Sequence, residues 1–230
     1  MSFVALMKII AAKHLGPGEP KPLRTRTPML LSQDSAVSIS ITPLVLAEAE
    51  GALFKSDLPL EHKISAVGQM SLFGMTLIRA YLSNTDGAFI HFATRGQEIL
   101  ETRLYRPYDE LYPDDWAFWL ADADGYIGYP VMQSKDGDGG IQYQRSWSPS
   151  PQRIDPAMAI ESVVGATGFT TTMRHRMMHY SRALKDSKLA EHLLVSAVET
   201  DTAASVNFWL GIDVAASDLT VFAAADAPPV

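Results

Sequence analysis

Cysteine is absent from the 230-residue sequence, which excludes disulfides, thiolate metal sites, iron–sulfur clusters and cysteine nucleophiles. No apolar run reaches the roughly 18–20 residues that a membrane-spanning helix needs. Positive charge is scarce, because 19 Lys and Arg residues face 26 Asp and Glu residues, for a net charge of −7. An acidic chain does not attract phosphate backbones, so nucleic acid is not an expected partner. We predict a cytoplasmic protein.

Sequence motifs of catalysis are also missing. The sequence has no serine in a nucleophile-elbow pattern, no phosphate loop and no dinucleotide-binding glycine fingerprint. The acid pairs at 109–110 and 114–115 are adjacent in sequence, so their side chains point apart. His91 lies in a predicted strand, where a lone histidine is more often a sheet residue than a general base. These features favour a protein that is not an enzyme and needs no cofactor.

Two Asp-Gly loops resemble the middle of a calcium-binding loop. Residues 122–127 and 136–141 each place acids at alternate positions before a glycine. A calcium loop of this type also ends in a bidentate glutamate. Val131 stands at that position after the first loop and Arg145 after the second. We therefore predict two tight turns that bind no calcium.

His175 and His179 are four residues apart. On a helix this spacing would direct both imidazoles at one metal ion. In a strand they would share a face but lie about 13 Å apart, too far for one ion. We favour a strand over residues 170–180, and hence predict no metal site.

Composition divides the chain into three parts. Residues 1–28 combine an amphipathic helix, apolar at positions 3, 6, 7 and 10, with a Gly/Pro-rich linker that begins at residue 16. Residues 29–222 are predicted to form one domain, and residues 223–230 a flexible tail. A helix this short is marginal alone in water. It therefore has to bury its apolar face on its own domain, on a protein partner or, as a weak peripheral anchor, on the inner membrane. The linker favours the protein partner.

The fold class follows from the order of the predicted elements. Alternating apolar residues predict about nine or ten short strands, among them 74–82 and 88–94. Three helices are predicted where proline or acidic residues suit a first turn, at 43–54, 113–120 and 155–164. Strands and helices do not alternate regularly, which argues against a doubly wound sheet. We therefore predict an α+β domain with largely antiparallel sheets of short strands and a few short helices.

Aromatic residues are concentrated between positions 105 and 147, interleaved with arginines. Such a mixture suits a partner surface or a ligand groove, although the rings also suit a core. We expect Trp119 and Trp147 to be largely buried. The predicted ligand or partner surface consists of Arg103, Arg106, Trp116, Arg145 and Glu161.

Three stretches resemble the YjfK-like family, a bacterial group of unknown function. They are residues 125–130 leading to Asp136-Gly137, residues 143–147 with Glu161 downstream, and residues 192–199 followed by 211–213. The similarity spans about residues 40–222. It implies no activity, cofactor or catalytic set. Genes of this group tend to lie beside those of phage-shock-type membrane-stress proteins, which implies an accessory role in envelope stress.

Two classes of function remain. The first is a non-catalytic cytoplasmic interaction or accessory protein. The second is an enzyme or small-ligand-binding protein whose polar residues converge only in three dimensions. A deep pocket that gathers Arg103, Arg145, Glu161 and a histidine would favour the second class, and an apolar surface patch would favour the first.

Overall fold

The computed structural model describes residues 31–222 except 34, 123, 135–139, 166–167 and 186–187. The sequence predictions for residues 1–28, for the tail 223–230 and for most of the second Asp-Gly loop lie outside these residues. The described chain contains the strands β1 (Ala36–Ile39), β2 (Glu61–Leu72), β3 (Met75–Leu82), β4 (Phe89–Arg95), β5 (Glu98–Leu111), β6 (Val131–Gln133), β7 (Gln142–Arg145), β8 (Ala157–Gly165), β9 (Thr170–Ala183), β10 (Ala190–Glu199), β11 (Ala204–Asp213) and β12 (Leu219–Phe222). Its α-helices are α1 (Thr42–Ala49) and α2 (Trp116–Leu120), and a 3-10 turn covers Ala216–Asp218.

Eight of the strands close into a barrel. Around the ring the order is β2, β3, β4, β5, β11, β10, β9 and β8, and β8 pairs with β2 again. Every pairing in the ring is antiparallel. Side chains alternate between the two faces of a strand, so each strand sends every second residue into the barrel interior.

The outer face of the barrel is covered over much of its surface. β1 pairs with β2 and β12, while β7 pairs with β9 and β6. Apolar residues on the outer face of the ring, such as Phe92, Leu104 and Leu193, share one buried cluster with Val37 of β1 and Leu44 of α1. A second buried cluster, which includes Phe89 and Trp209, fills the interior. None of the helices in the described part of the chain is long and apolar enough to cross a bilayer.

The predicted α+β class is wrong, because the fold is almost entirely β. The helix expected at residues 155–164 is the strand β8, in which Ala159, Glu161 and Val163 are buried while Met158 and Ile160 are exposed. That period of two is the strand period, and it outweighs the helix-start signal of the preceding Asp-Pro. The strands are also longer than predicted, because β5 and β9 have 14 residues each.

Other predictions fare differently. The strands predicted at 74–82 and 88–94 are confirmed as β3 and β4, and residues 170–180 lie in β9 as expected. Trp119 and Trp147 are partly buried, and both pack against the outer apolar cluster. Trp209, inside the barrel, is the deeply buried tryptophan, with 1% of its surface exposed.

Candidate functional site

A fully buried ionic cluster lies inside the barrel around Glu161 of β8. One carboxylate oxygen accepts a hydrogen bond from Arg79 of β3 at 3.0 Å and lies 2.9 Å from Nε2 of His175 on β9. The other oxygen accepts a hydrogen bond from the hydroxyl of Tyr81 at 2.8 Å. His175 also contacts the hydroxyl of Ser196 through Nδ1, at 3.1 Å. Strands β3, β8 and β9 thus meet at one carboxylate, and β10 joins them through His175.

A glycine makes room for this cluster. Gly68 of β2 lies directly under Glu161, and a Cβ atom at residue 68 would come 1.8 Å from Oε1 of Glu161. Any side chain at this position would therefore displace the carboxylate from its three partners. The missing side chain of Gly68 is what allows Glu161 to cross the interior beside β2.

Charge is fixed within the cluster. Burial alone would raise the pKa of Glu161, but the Arg79 charge and the hydrogen bonds from His175 and Tyr81 outweigh it and lower that pKa to about 2. Burial lowers the pKa of His175, and the hydrogen bond to Glu161 offsets this only in part. A neutral His175 therefore lies with Nε2 beside an ionised carboxylate, next to the ion pair of Arg79 and Glu161.

A second polar group lies in the interior around Arg103 of β5. Arg103 forms ion pairs with Glu101 at 2.7 Å and with Asp213 at 2.9 Å, and His192 lies 3.0 Å from the second oxygen of Asp213. The ring of His192 stacks on His179 at 5.1 Å between centroids. The polar residues of the interior therefore form two networks rather than one pocket.

A small cavity lies inside the barrel. The cavity lined by Arg79, His91, Arg103 and His179 has a volume of about 30 Å³, which is room for about two waters. Burial, followed by the charges of Arg79 and Arg103, lowers the pKa of His91 to about 3. Burial also lowers the pKa of His179 well below its ordinary range, with a further contribution from Arg103. These histidines are neutral packing groups of the interior.

The structure shows the surroundings of the two histidines and of the first Asp-Gly loop, for which the sequence predicts no metal binding. His175 and His179 both point inward from β9, but His175 contacts Glu161 whereas His179 stacks on Trp147 and His192. Among the described residues there is no group of three or more His, Asp or Glu side chains that could hold a metal ion. In the first Asp-Gly loop the guanidinium of Arg153 binds the backbone carbonyls of Asp122 and Gly125.

The structure scatters the five residues of the predicted surface. Arg103 and Glu161 lie inside the barrel in different networks. Arg145 is buried outside the ring, where it donates to the carbonyls of a surrounding loop at residues 128, 148, 150 and 152. Arg106 pairs with Asp57 and donates to the Lys55 carbonyl at 2.7 Å. The polar pocket that would have favoured an enzyme, with Arg103, Arg145 and Glu161 together, does not form.

Trp116 lines a groove on the outer face of the barrel. The groove is lined by α2 and by outward-facing residues of β2, β8, β9 and β10, and its volume is about 1020 Å³. Its lining also includes four inward-facing residues, namely Met70, Ala159, His175 and Val198. Met158 and Ile160 of β8 form its apolar floor and are 71% and 62% exposed. Trp116 and Leu120 of α2 form one wall. This is a part of the outer face that the described elements around the barrel leave uncovered.

The groove lies where two neighbouring strands of the barrel are hydrogen-bonded over only part of their length. β2 and β8 pair from Ala66↔Gly165 to Gln69↔Ser162. The same register would next place Met70 opposite Glu161, but no pairing continues there among the described residues. Residues 157–161 are therefore paired on one side only, with β9. We call this opening between β2 and β8 the seam.

Two arginines give the groove its charge. Arg174 and Arg176 of β9 line it together with Glu199 of β10. Arg174 lies 3.8 Å from Glu199, and both side chains are more than half exposed. Arg176 forms no ion pair within the described part of the chain. The groove is therefore apolar at its floor and positive at its rim, although the chain as a whole is acidic.

The sequence contained a signal for this groove. Around Glu161, β8 carries large apolar residues at 158 and 160 on one face and small or apolar residues at 157, 159 and 163 on the other. A strand that is apolar on both faces usually packs on both faces. Among the residues that the structure describes, only the inner face is packed, which leaves Met158 and Ile160 exposed for another contact.

A family model described as "Protein of unknown function (DUF2491)" matches residues 11–220. No curated protein matches the chain at a significant level. No solved structure matches it either.

Proposed function

Because the chain belongs to the DUF2491 family, whose description names no activity, we propose from the geometry that it is a non-catalytic binding protein. Its outer groove receives an amphipathic helix of a protein partner. The observation that carries this proposal is the exposed apolar floor of Met158 and Ile160 inside a groove of about 1020 Å³. Soluble proteins seldom expose large apolar side chains together in a concave surface unless something binds there.

The chemistry of the partner follows from the groove. An apolar helix face would cover the floor and the α2 wall, as in helix-in-groove recognition. Arg174 and Arg176 at the rim favour acidic residues beside that face, because opposite charges at a rim speed association and select partners. The expected ligand is therefore a helix with leucine-like residues on one face and carboxylates at its border.

The interior supports the same proposal. Glu161 accepts hydrogen bonds from Arg79 and Tyr81, and the interior cavity that Arg79 lines has room for about two waters. A substrate would need a larger space with polar groups that converge on it. The enzyme or small-ligand alternative therefore finds less support than the groove.

A designed peptide pair tests the proposal. The first peptide is a fluorescently labelled amphipathic helix with Leu on one face and Glu at its border, and the second carries Lys in place of Glu. We expect the Glu peptide to bind the full chain at least about tenfold more tightly by anisotropy, because one favourable charge contact replaces an unfavourable one. Added salt should reduce the difference.

Matched variants locate the binding. Ile160→Asp should abolish binding of the Glu peptide, whereas Phe222→Asp should not, although Phe222 is also an exposed apolar residue, at 51%. A Glu peptide with a central proline should fail to bind if the ligand is helical. Full binding by the proline peptide would instead show an extended ligand in the seam and overturn the helix proposal. If the Phe222→Asp and Ile160→Asp variants bound the Glu peptide equally well, the groove would not be its binding site.

The finer predictions from sequence belong with this proposal. The resemblance to the YjfK-like group and the accessory role in envelope stress remain proposals beside the family match. The same holds for the cytoplasmic location and for residues 1–15 as the segment that contacts a partner or the inner membrane. An interaction protein with a groove for an acidic helix is compatible with each of them.

A further inference from the structure

A second exposed apolar surface lies on and beside α1. Ile41, Val45 and Leu46 of this helix region are 41%, 46% and 51% exposed, and Leu60 is 46% exposed. Leu60 is next to the start of α1, because its carbonyl accepts a hydrogen bond from Ile39 at 2.8 Å. We call these four residues the α1 patch. None of them lines the groove.

Acidic residues border the α1 patch. Glu50 follows Leu46 by four residues, so the two share one side of the helix end. Glu61 is exposed and follows Leu60 directly. A third carboxylate, Glu48, is already engaged by Ser56 at 2.6 Å and by Lys55 at 3.2 Å. The α1 patch is thus an apolar helix face with carboxylates at its border.

The α1 patch and the groove are complementary. One is a convex helix face with acidic neighbours, and the other is a concave apolar floor with Arg174 and Arg176 at its rim. We infer that the groove binds the α1 patch of a second copy of this chain. This inference rests on the proposed function, since it names the helix that the groove receives.

The contact joins two different surfaces. A contact of this heterologous kind leaves one groove and one α1 patch free at the ends of a pair, so copies add head to tail unless the assembly closes. The chain carries a net charge of −7, and this general repulsion between copies restricts approach to the positively rimmed groove. Association should therefore depend on both apolar burial and local charge.

The test mixes two variants, each of which lacks one of the two contact surfaces. Ile160→Asp removes the groove floor and leaves the α1 patch, whereas Leu46→Asp removes the α1 patch and leaves the groove. By analytical ultracentrifugation, the full chain should form dimers or larger species as its concentration rises, and each variant alone should stay monomeric at 25.2 kDa. An equimolar mixture should regain a dimer and nothing larger, because only one working contact is left.

Charge reversal provides a second, independent measurement. Arg176→Glu should weaken association at least about tenfold, and Glu50→Arg should do the same, whereas the double variant should recover part of the loss. Both residues are at the surface of the fold, and thermal melts will show that the variants are folded. If a groove or patch variant fails to fold, Met158→Asp and Val45→Asp replace Ile160→Asp and Leu46→Asp.

Three results would overturn the inference. They are a full chain that stays monomeric throughout, variants that associate as the full chain does, and a mixture of the two variants that stays monomeric. Binding of the Glu peptide distinguishes a failure of this inference from a failure of the proposed function. A monomeric chain that binds the Glu peptide keeps the groove and loses only the second copy, whereas a monomeric chain that binds no peptide loses both.

Discussion

Glu161 forms a fully buried ion pair in the interior. Its side chain and that of Arg79 are both fully buried and 3.0 Å apart. Removing one charge leaves the other buried without its counter-ion, which typically costs about 3–5 kcal/mol. We expect Glu161→Gln to lower the free energy of unfolding by about that amount. Urea unfolding of the full chain measures it.

The paired replacement is the control for this prediction. In Arg79→Met combined with Glu161→Leu, both charges are removed and the volume is nearly kept. Exchanges of this kind are often neutral or stabilising, so the double variant should be more stable than Glu161→Gln. If the double variant were less stable than Glu161→Gln, the cluster would stabilise the fold by more than the pairing of its two charges.

Gly68 is the second residue with a sharp expectation. A methyl group there would overlap Oε1 of Glu161, so Gly68→Ala should destabilise the fold by displacing the carboxylate. The penalty should shrink when Glu161 is already alanine, because the clash is then absent. A double-mutant cycle measured by thermal unfolding gives the coupling between the two positions. Equal penalties in both backgrounds would contradict the clash.

At the scale of elements, the seam divides β8 into two halves. Residues 162–165 are paired on both sides, whereas residues 157–161 are paired with β9 alone. Backbone amides without a partner in the sheet exchange with solvent sooner. We expect hydrogen exchange, read by mass spectrometry, to be faster in the first half of β8 than in the second. Uniform protection along β8 would show that the seam is closed in solution.

β8 also shows what the sequence could and could not predict. β3 and β4 were predictable, because an apolar alternation is joined through an Asp-Gly loop. β8 was not, because Asp155-Pro156 is a good helix start and the strand is apolar on both faces. The partners of Glu161 are on β3 and β9, and Arg79 is 82 positions away in sequence. No local pattern in the sequence encodes that contact. The sequence therefore predicts one shared surface for Glu161 and Trp116, although Glu161 lies inside the barrel and Trp116 outside it.

For the whole molecule, the buried histidines imply sensitivity to acid. The pKa of His91 is lowered to about 3 by burial and by two arginines, and those of His175 and His179 are lowered as well. Below their ordinary pKa of 6.5, these residues take up protons in the unfolded chain but not in the fold. The unfolded state then binds more protons, so stability falls as pH falls. Glu161, with its pKa lowered to about 2, adds a further loss below pH 4.5.

Thermal melts across a pH series measure this dependence. We expect the melting temperature to decline progressively as the pH drops below 6.5, and His91→Gln to show a shallower decline because one proton-linked group is missing. For each protein, the decline is measured relative to its own melting temperature above pH 6.5. This comparison removes the pH-independent effect of the substitution on packing. A decline as steep as that of the unaltered chain would contradict the role of His91.

The pairing of β1 with β12 has a mechanical consequence. The two strands run antiparallel from Ala36↔Phe222 to Ile39↔Leu219, so the chain enters the described fold and leaves it at the same end of this ladder. A pulling force applied through residues 36 and 222 therefore acts in an unzipping geometry. It breaks the hydrogen bonds between the two strands one after another instead of shearing all of them together. β1 and β12 should peel apart at low force while the closed ring stays intact. In an optical-tweezers trace the molecule would give way first by a short extension and only later by the long extension of the barrel.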